Sequence, residues 1–311
     1  VNLQTDYGIP IQNNVPLCRF STLQIGGPAA YFAEPGTREA FLPLMAFQKH
    51  DNLPVLIIGR GSNILFSDEG FSGLVISLRK FELDRIQFSP DGSVKVSAGM
   101  SLFRLSALCQ EQGMSGLEFV CHIPGTVGGA CAMNAGFGRA ASPYREIKDV
   151  LRSVTILDLL NSKLRVVTRD EIKFEYRKSS LDKEIVLDAT FQLTPSTREQ
   201  VRDEVKANFT YRNSVQDLRY PSAGSVFKNP KKPAESAGKL IDRAGLRGTR
   251  IGGAMISEKH GNFILNVGNA KAVDVLQLID LAKSRVFEQF GVELEPEVKL
   301  MVPGLSSPCT V

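Results

Sequence analysis

Residues 123–138 read IPGTVGGACAMNAGFG and hold five of the 27 glycines in the chain, with no charged side chain among them. Connecting segments normally run over the surface and are polar, because their backbone amides need water or a partner. A segment this bare and apolar must instead press against something. Two readings stand at this level. The glycines either sit at positive φ in a close-packed turn, or they clear the way for a flat ligand. On the second reading Thr126 could add a hydroxyl donor, and Gly128→Val is expected to lose that ligand before it loses the fold.

The rest of the chain limits what that ligand can be. At 311 residues, two or three domains with sizeable cores are expected. The net charge of +4 is mild and no long run of like charges occurs, which argues against a nucleic-acid partner and for a local basic site. The five cysteines, Cys18, Cys109, Cys121, Cys131 and Cys309, are odd in number and lack CxxC spacing. Free thiols in a reducing cytoplasm are expected, with no disulfide framework or zinc ribbon. No HExxH or comparable cluster predicts a metal site. VNLQTDYGIPIQNN (1–14) has neither a basic n-region nor an apolar h-region, and no run of about 18 apolar residues predicts a membrane span. No obligate protein partner is evident.

Patterning predicts an α+β protein. TREAFLPLMAFQKH reads as a helix, and LPVLIIG (53–59), LVISL (74–78) and VKVSAG (94–99) as strands. Ser101 is placed to cap a helix over LFRLSALCQEQG. VLRSVTILD (150–158), LRVVT (164–168) and IVLDATFQL (185–193) predict a mainly antiparallel sheet. Ser196 and Glu199 then form a capping box for a helix to about Arg212, which reads as a boundary element. A short helix over ESAGKLIDRAG and a strand FILNV (263–267) follow. A long helix is expected to start at an Asn269 cap, with Val273, Leu276, Ile279, Val286 and Phe290 on one face. A strand at VELEPEVKLMV closes the pattern.

Two further glycine-rich stretches carry chemistry. GRGSN (59–63) follows a strand and reads either as an anion-binding nest, with Ser62 and Asn63 adding donors, or as a tight turn. A Rossmann fingerprint would need glycine where Ile64 stands, and no Walker loop occurs. In YPSAGSVFKNP (220–230), Ser225 follows Gly224 at a tight turn. The run is not GxSxG, and the chain offers only His50, His122 and His260 as imidazole bases, so a hydrolase reading is poor. A serine acting as proton donor stays open.

Eight stretches, taken in order, resemble the UDP-N-acetylenolpyruvoylglucosamine reductase family. They are STLQIGGPA (21–29), GRGSNILFSDEGFSGLVI (59–76), GLEFVCHIPGTVGGACAMNAGFG (116–138), YRKSSL (176–181), PSAGSVFKNP (221–230), AGKLIDRAGLRG (237–248), GGAMISEKHGNFILN (252–266) and LEPEVKL (294–300). The resemblance implies an FAD enzyme of peptidoglycan precursor synthesis that uses NADPH to reduce the enolpyruvyl ether of a UDP-sugar to UDP-N-acetylmuramate. It implies a two-part flavin-binding fold, an N-terminal α+β domain plus a mainly antiparallel β domain, with a third α+β substrate domain. The units are expected at 1–75, 76–205 and 206–299, with the tail from about 300 to 311 returning to the first.

On the same resemblance, Gly59, Arg60, Gly61, Ser62 and Asn63 line FAD together with Ile123, Pro124, Gly125, Thr126, Gly128 and Gly129. Arg177, Ser225 and Glu297 match the catalytic positions, and Tyr176, Arg177, Lys228 and Asn229 the substrate contacts. Hydride is expected at the vinyl carbon from flavin N5, with a proton from Ser225. Arg177 meets the enolate charge, and Glu297 needs a raised pKa to donate a hydrogen bond. One departure stands out: the residue expected to be basic before the PSAGS run is Val215, leaving Arg212 or Arg219 to meet the diphosphate. The short spacing between YRKSS and PSAGS leaves little room for the tyrosine-bearing loop of the longer members, so the chain resembles the shorter type. An oxidase on the same flavin-binding fold and a non-catalytic UDP-sugar-binding protein are the rival readings.

Overall fold

The computed structural model describes residues 10–139, 142–158, 163–232 and 235–302. The leader-free reading of the first residues, Cys309 and the last part of the expected tail lie outside these residues. The architecture is α+β, built on three main sheets.

In the first sheet the strands run in the order Gln12–Pro16, Pro28–Ala33, Phe71–Ser77, Val55–Ile58. The last three are mutually parallel. Leu56, Ile57, Ile58, Leu74, Val75 and Ile76 are all buried, as expected of parallel strands covered on both faces. Helix Phe41–His50 lies against this sheet, its Phe47 ring edge-on to Tyr31 at 5.1 Å between centroids. Ile58 ends its strand at the carboxyl edge, where α/β sheets bind ligands, and the chain turns directly into GRGSN.

The second sheet is antiparallel throughout, in the order Leu164–Thr168, Leu151–Leu157, Ile185–Gln192, Ser93–Ser97, Ile86–Phe88. Helix Leu102–Glu111 is capped by Ser101 as predicted, its hydroxyl accepting from Arg104 N at 3.2 Å. The bare segment contains a helix, Val127–Ala132, which packs on strand Ile185–Gln192.

The third sheet runs Ser222–Ser225, Phe263–Asn266, Ala254–Ile256, Arg250–Ile251, with helix Ala272–Phe290 packed on it and on Ala237–Arg243. Its core takes in Leu23, Ile25 and Leu65 from the N-terminal part. Thr22 Oγ1 donates to Ser222 O at 2.8 Å, and Asn266 Nδ2 to Leu23 O at 3.1 Å. The chain then returns: strand Lys299–Met301 pairs in parallel with Ile64–Phe66. The third part therefore packs on the first through this smaller core, while the first and second parts share the largest core, in which Phe41, Leu44 and Ile57 sit with Val96, Leu105 and Leu187.

Three local expectations are corrected. The helix expected from a Ser196–Glu199 box runs Arg198–Val215, capped by Thr197 with Gln200 in the reciprocal position. The last helix begins at Ala272, not after Asn269, which sits at φ 53° in the preceding turn. Asp68 caps it from the N-terminal part, accepting from Ala272 N at 2.9 Å. Its buried face is Val275, Leu278, Ile279, Ala282 and Val286, and Val273 points outward. Of VELEPEVKLMV, only Lys299–Met301 is a strand.

Candidate active site

GRGSN and the bare segment meet. A Cβ on Gly59 would lie 2.3 Å from Thr126 Oγ1, so only glycine lets the two stretches close together. Gly61 takes φ +59° and its carbonyl accepts from Thr22 N at 3.1 Å. Gly61 and Ser62 N–H donate to nothing among the described residues. Together, residues 59–64, 123–126 and 129 floor a cleft of about 1080 Å³ open to solvent.

The helix in the bare segment is not an anion cradle. Its first amides are already committed: Val127 N donates to Met100 O, Gly128 N to Ala98 O and Gly129 N to the Thr126 hydroxyl. Gly125, Gly128 and Gly129 are all absent from the positive-φ residues, so the left-handed-turn reading fails too. Each glycine answers a different neighbour. A Cβ on Gly129 would meet only Thr126 Oγ1, at 3.6 Å, and otherwise project into open space. A Cβ on Gly128 would lie 3.0 Å from Ala98 Cβ at the end of a sheet strand. Gly128 is therefore a packing glycine and, contrary to expectation, does not line the cleft.

The bare segment also positions Arg177. Tyr176 and Arg177 form the two-residue loop of a hairpin between Phe174–Glu175 and Lys178–Ser179. Arg177 takes φ +59°, an uncommon and strained state for a non-glycine residue that suits such tight hairpin loops. The hairpin is fastened to the segment at two points. Ser179 Oγ reaches the carbonyls of Cys131 and Ala132, each at 2.9 Å. Fully buried Asn134 donates to Glu175 O at 3.0 Å and accepts from Lys148 N at 3.1 Å.

The guanidinium so placed forms an ion pair from Nε to Glu297 Oε1 at 3.1 Å and donates from Nη1 to Tyr144 OH at 2.8 Å. Tyr144 is a partner that no sequence motif signalled. Burial alone would lower the Arg177 pKa, but Glu297 and the two tyrosines hold it above its ordinary value. Burial raises the Glu297 carboxyl, against the opposing pull of Arg177 and Lys228.

Glu297 enters from the third part. Its N–H donates to Val226 O at 2.7 Å, and its carbonyl accepts from Asn63 Nδ2 at 3.0 Å. Ser225 lies one residue before Val226. Gly224 takes φ +75°, and the strand register slips between Ser222 and Ser225. That irregularity turns Ser225 toward the cleft, as bulges do. Buried Asn262 clamps the backbone of nearby Phe227: its side chain accepts from Phe227 N at 2.9 Å and donates to Phe227 O at 2.8 Å.

Arg177, Ser225 and Glu297 thus line one cleft with all of GRGSN and with Ile123, Pro124, Gly125, Thr126 and Gly129. Tyr176, Lys228 and Asn229 do not line it. Tyr176 stacks its ring 5.1 Å from the Arg177 guanidinium carbon. Lys228 Nζ binds Glu295 Oε1 at 2.6 Å. Asn229 Oδ1 accepts from Ala237 N at 3.1 Å, at the start of helix Ala237–Arg243. Of the two candidate basic residues, Arg212 lines the cleft, whereas Arg219 is exposed and bound to Asp217.

Comparison with known proteins agrees with this geometry. Residues 29–167 match the FAD binding domain, and residues 216–301 match the C-terminal domain of UDP-N-acetylenolpyruvoylglucosamine reductase. The reductase of Chlamydia muridarum is 44% identical over 296 residues, covering 94% of this chain and 94% of that protein. The Syntrophus aciditrophicus reductase is 40% identical over 290 residues, covering 92% and 90%. The solved structure of the Thermus caldophilus enzyme superposes with a TM-score of 0.78 at 35% identity, covering 94% of this chain and all of that one. Long-range identity of this order and a shared fold, on top of the converging residues, settle the assignment: the chain belongs to the UDP-N-acetylenolpyruvoylglucosamine reductase family.

Proposed function

We propose that the cleft reduces the enolpyruvyl ether of UDP-N-acetylglucosamine to UDP-N-acetylmuramate, with FAD as cofactor and NADPH as reductant, in the synthesis of peptidoglycan precursors. The observation that carries this reading is the convergence of Arg177, Ser225 and Glu297, from three distant stretches, on a cleft floored by two glycine-rich loops.

The residues present fit FAD. Gly61 and Ser62 offer unpaired N–H groups, with Arg60 beside them, for a pyrophosphate. Gly125 and Gly129 leave an apolar, side-chain-free wall for a flat ring. Bound there, FAD supplies the hydride for the vinyl carbon.

The chain's own residues do the rest. Reduction of the vinyl carbon places negative charge on the enolpyruvyl carboxylate, and the planar Arg177 fork meets it with paired hydrogen bonds. Because Arg177 is held in a strained hairpin loop by Asn134 and Ser179, its orientation is fixed before the charge forms. Burial raises the Glu297 pKa against the pull of Arg177 and Lys228, and in its protonated form Glu297 donates a hydrogen bond to the same enolate. Ser225 gives a proton to the carbon that bears the carboxylate. Tyr176 stacks on Arg177, Lys228 tunes Glu297 through space and Asn229 steadies the adjoining helix at the rim. We read the chain as three units, 1–75 with the returning strand, 76–205 and 206–299.

Steady-state assay tests the reading. The FAD-loaded protein is expected to oxidise NADPH only when the enolpyruvyl UDP-sugar is supplied. Oxygen consumption with an alcohol or sugar and no NADPH would identify an oxidase instead, and binding of the UDP-sugar without turnover would identify a binding protein.

A further inference from the structure

Ser225 lines the cleft, yet nothing grips its side chain. Among the described residues its hydroxyl has no hydrogen-bond partner, so the backbone decides where it points. On the N-terminal side that backbone departs from a regular strand. Gly224 takes φ +75°, a Cβ there would meet nothing within 4 Å, and the pairing slips between Ser222 and Ser225. The strand ends at Ser225. What fixes the aim of the hydroxyl must therefore act on the residues that follow.

Those residues are held by Asn262. Val226 N donates to Asn262 O at 2.9 Å, and the Asn262 carboxamide accepts from Phe227 N at 2.9 Å and donates to Phe227 O at 2.8 Å. A carboxamide carries a donor and an acceptor at its tip, which is what both main-chain groups of one residue require. An apolar side chain in its place would leave the main chain of fully buried Phe227 without these two bonds. Asn262 is itself fixed, its N–H donating to His260 Nδ1 at 3.2 Å. It is buried and does not line the cleft, so it touches neither substrate nor cofactor there. Glu297 has holds of its own, through Asn63 and Arg177, which leaves Ser225 as the group that depends on this clamp.

We infer that Asn262 is a positioning residue for proton transfer: its carboxamide locks Phe227, and so presents the Ser225 hydroxyl two residues earlier to the reacting carbon. Proton transfer needs donor and acceptor within hydrogen-bond reach, and a misplacement of about 1 Å can cost on the order of 10²-fold in rate. The inference rests on the proton role proposed for Ser225 and adds what sets the aim of that hydroxyl.

Asn262→Leu, close in volume but unable to make either side-chain hydrogen bond, is the test, in FAD-loaded protein under anaerobic rapid mixing. Flavin content and flavin reduction by NADPH should stay near normal. Reoxidation by the enolpyruvyl UDP-sugar should slow roughly 10–100-fold, with a larger solvent deuterium effect on that step. Added to Ser225→Ala, Asn262→Leu should slow reoxidation no further, because no hydroxyl is left to aim. Asn262→Asp keeps the acceptor for Phe227 N and regains a donor when protonated, so it should recover part of the rate as pH falls. If Asn262→Leu does not hold FAD, Asn262→Asp carries the same comparison with Ser225→Ala. Normal reoxidation in Asn262→Leu, equal slowing of both half-reactions, or a double variant slower than Ser225→Ala by the full factor of Asn262→Leu would overturn the inference. Normal reoxidation in Ser225→Ala would instead defeat the proton role itself, and absence of turnover in the unaltered protein the proposed function.

Discussion

Gly128 and Gly129 are adjacent, and the structure gives them opposite duties. Gly129 opens onto the cleft and Gly128 onto Ala98. Gly129→Val is therefore expected to fold normally and lose FAD, seen as colourless protein with the unfolding midpoint of the FAD-free unaltered protein. Gly128→Val is expected to keep FAD in whatever folds but to lose about 1–3 kcal/mol of stability, the usual cost of overpacking. Urea melts with flavin absorbance as a parallel signal separate the two, and the reverse assignment would show flavin loss at Gly128. Charge at this scale is equally testable. Burial raises the Glu297 pKa above its unfolded value, so folding favours the protonated form. Its stability contribution is full below the unfolded carboxylate range and is lost as pH rises through the raised folded pKa. A reaction that needs protonated Glu297 should lose kcat over the same rise. Lys228 pulls that pKa down, so Lys228→Met should move the alkaline fall in kcat to higher pH. An unmoved or lowered limb would show that Glu297 does not govern it.

Elements signalled by local pattern were legible, and their ends were less so. The Ser101 cap follows from one serine before an apolar periodic run. Ser196 and Glu199 satisfy the same spacing rule as Thr197 and Gln200, so spacing alone does not choose the Thr197 cap that the structure shows. Helix Ala272–Phe290 has local marks in Asp274, which accepts from Lys271 N, and in left-handed Gly291 at its end, but the carboxylate that accepts from its first amide belongs to Asp68, some two hundred residues earlier. Asp68→Ala should cost about 1 kcal/mol, as loss of an N-cap does. Because this cap ties the third part to the first, the loss should appear as a lower midpoint of one cooperative transition. A separate early transition of the third part would contradict the packing described. The hairpin that carries Arg177 illustrates the same limit. YRKSS marked the residue, but neither its left-handed backbone nor its attachment through Asn134 and Ser179 is written in local sequence.

At the scale of the whole molecule, ordered motifs revealed the family and the convergent triad, while the direction each side chain takes came only from tertiary packing. GRGSN falls at the carboxyl edge of parallel strands, a placement readable from the apolar run before it. Lys228 and Asn229 follow Ser225 closely in sequence yet are held by Glu295 and by the start of helix Ala237–Arg243. Tyr144 and Phe137 reach the site from a strand pairing that no motif announces. Among the described residues, no helix is long and apolar enough to cross a membrane. The first part shares one core with the second and a smaller one with the third, and the second part brings Arg177 to meet Glu297 across the cleft. On the proposed reading this meeting place divides the work, with Ser225 delivering a proton and taking no part in reduction of the cofactor. Anaerobic rapid mixing of Ser225→Ala tests it most directly. NADPH is expected to reduce the flavin at a near-normal rate while reoxidation by the enolpyruvyl UDP-sugar slows roughly 10²–10⁴-fold. Equal slowing of both half-reactions, or normal reoxidation, would contradict it.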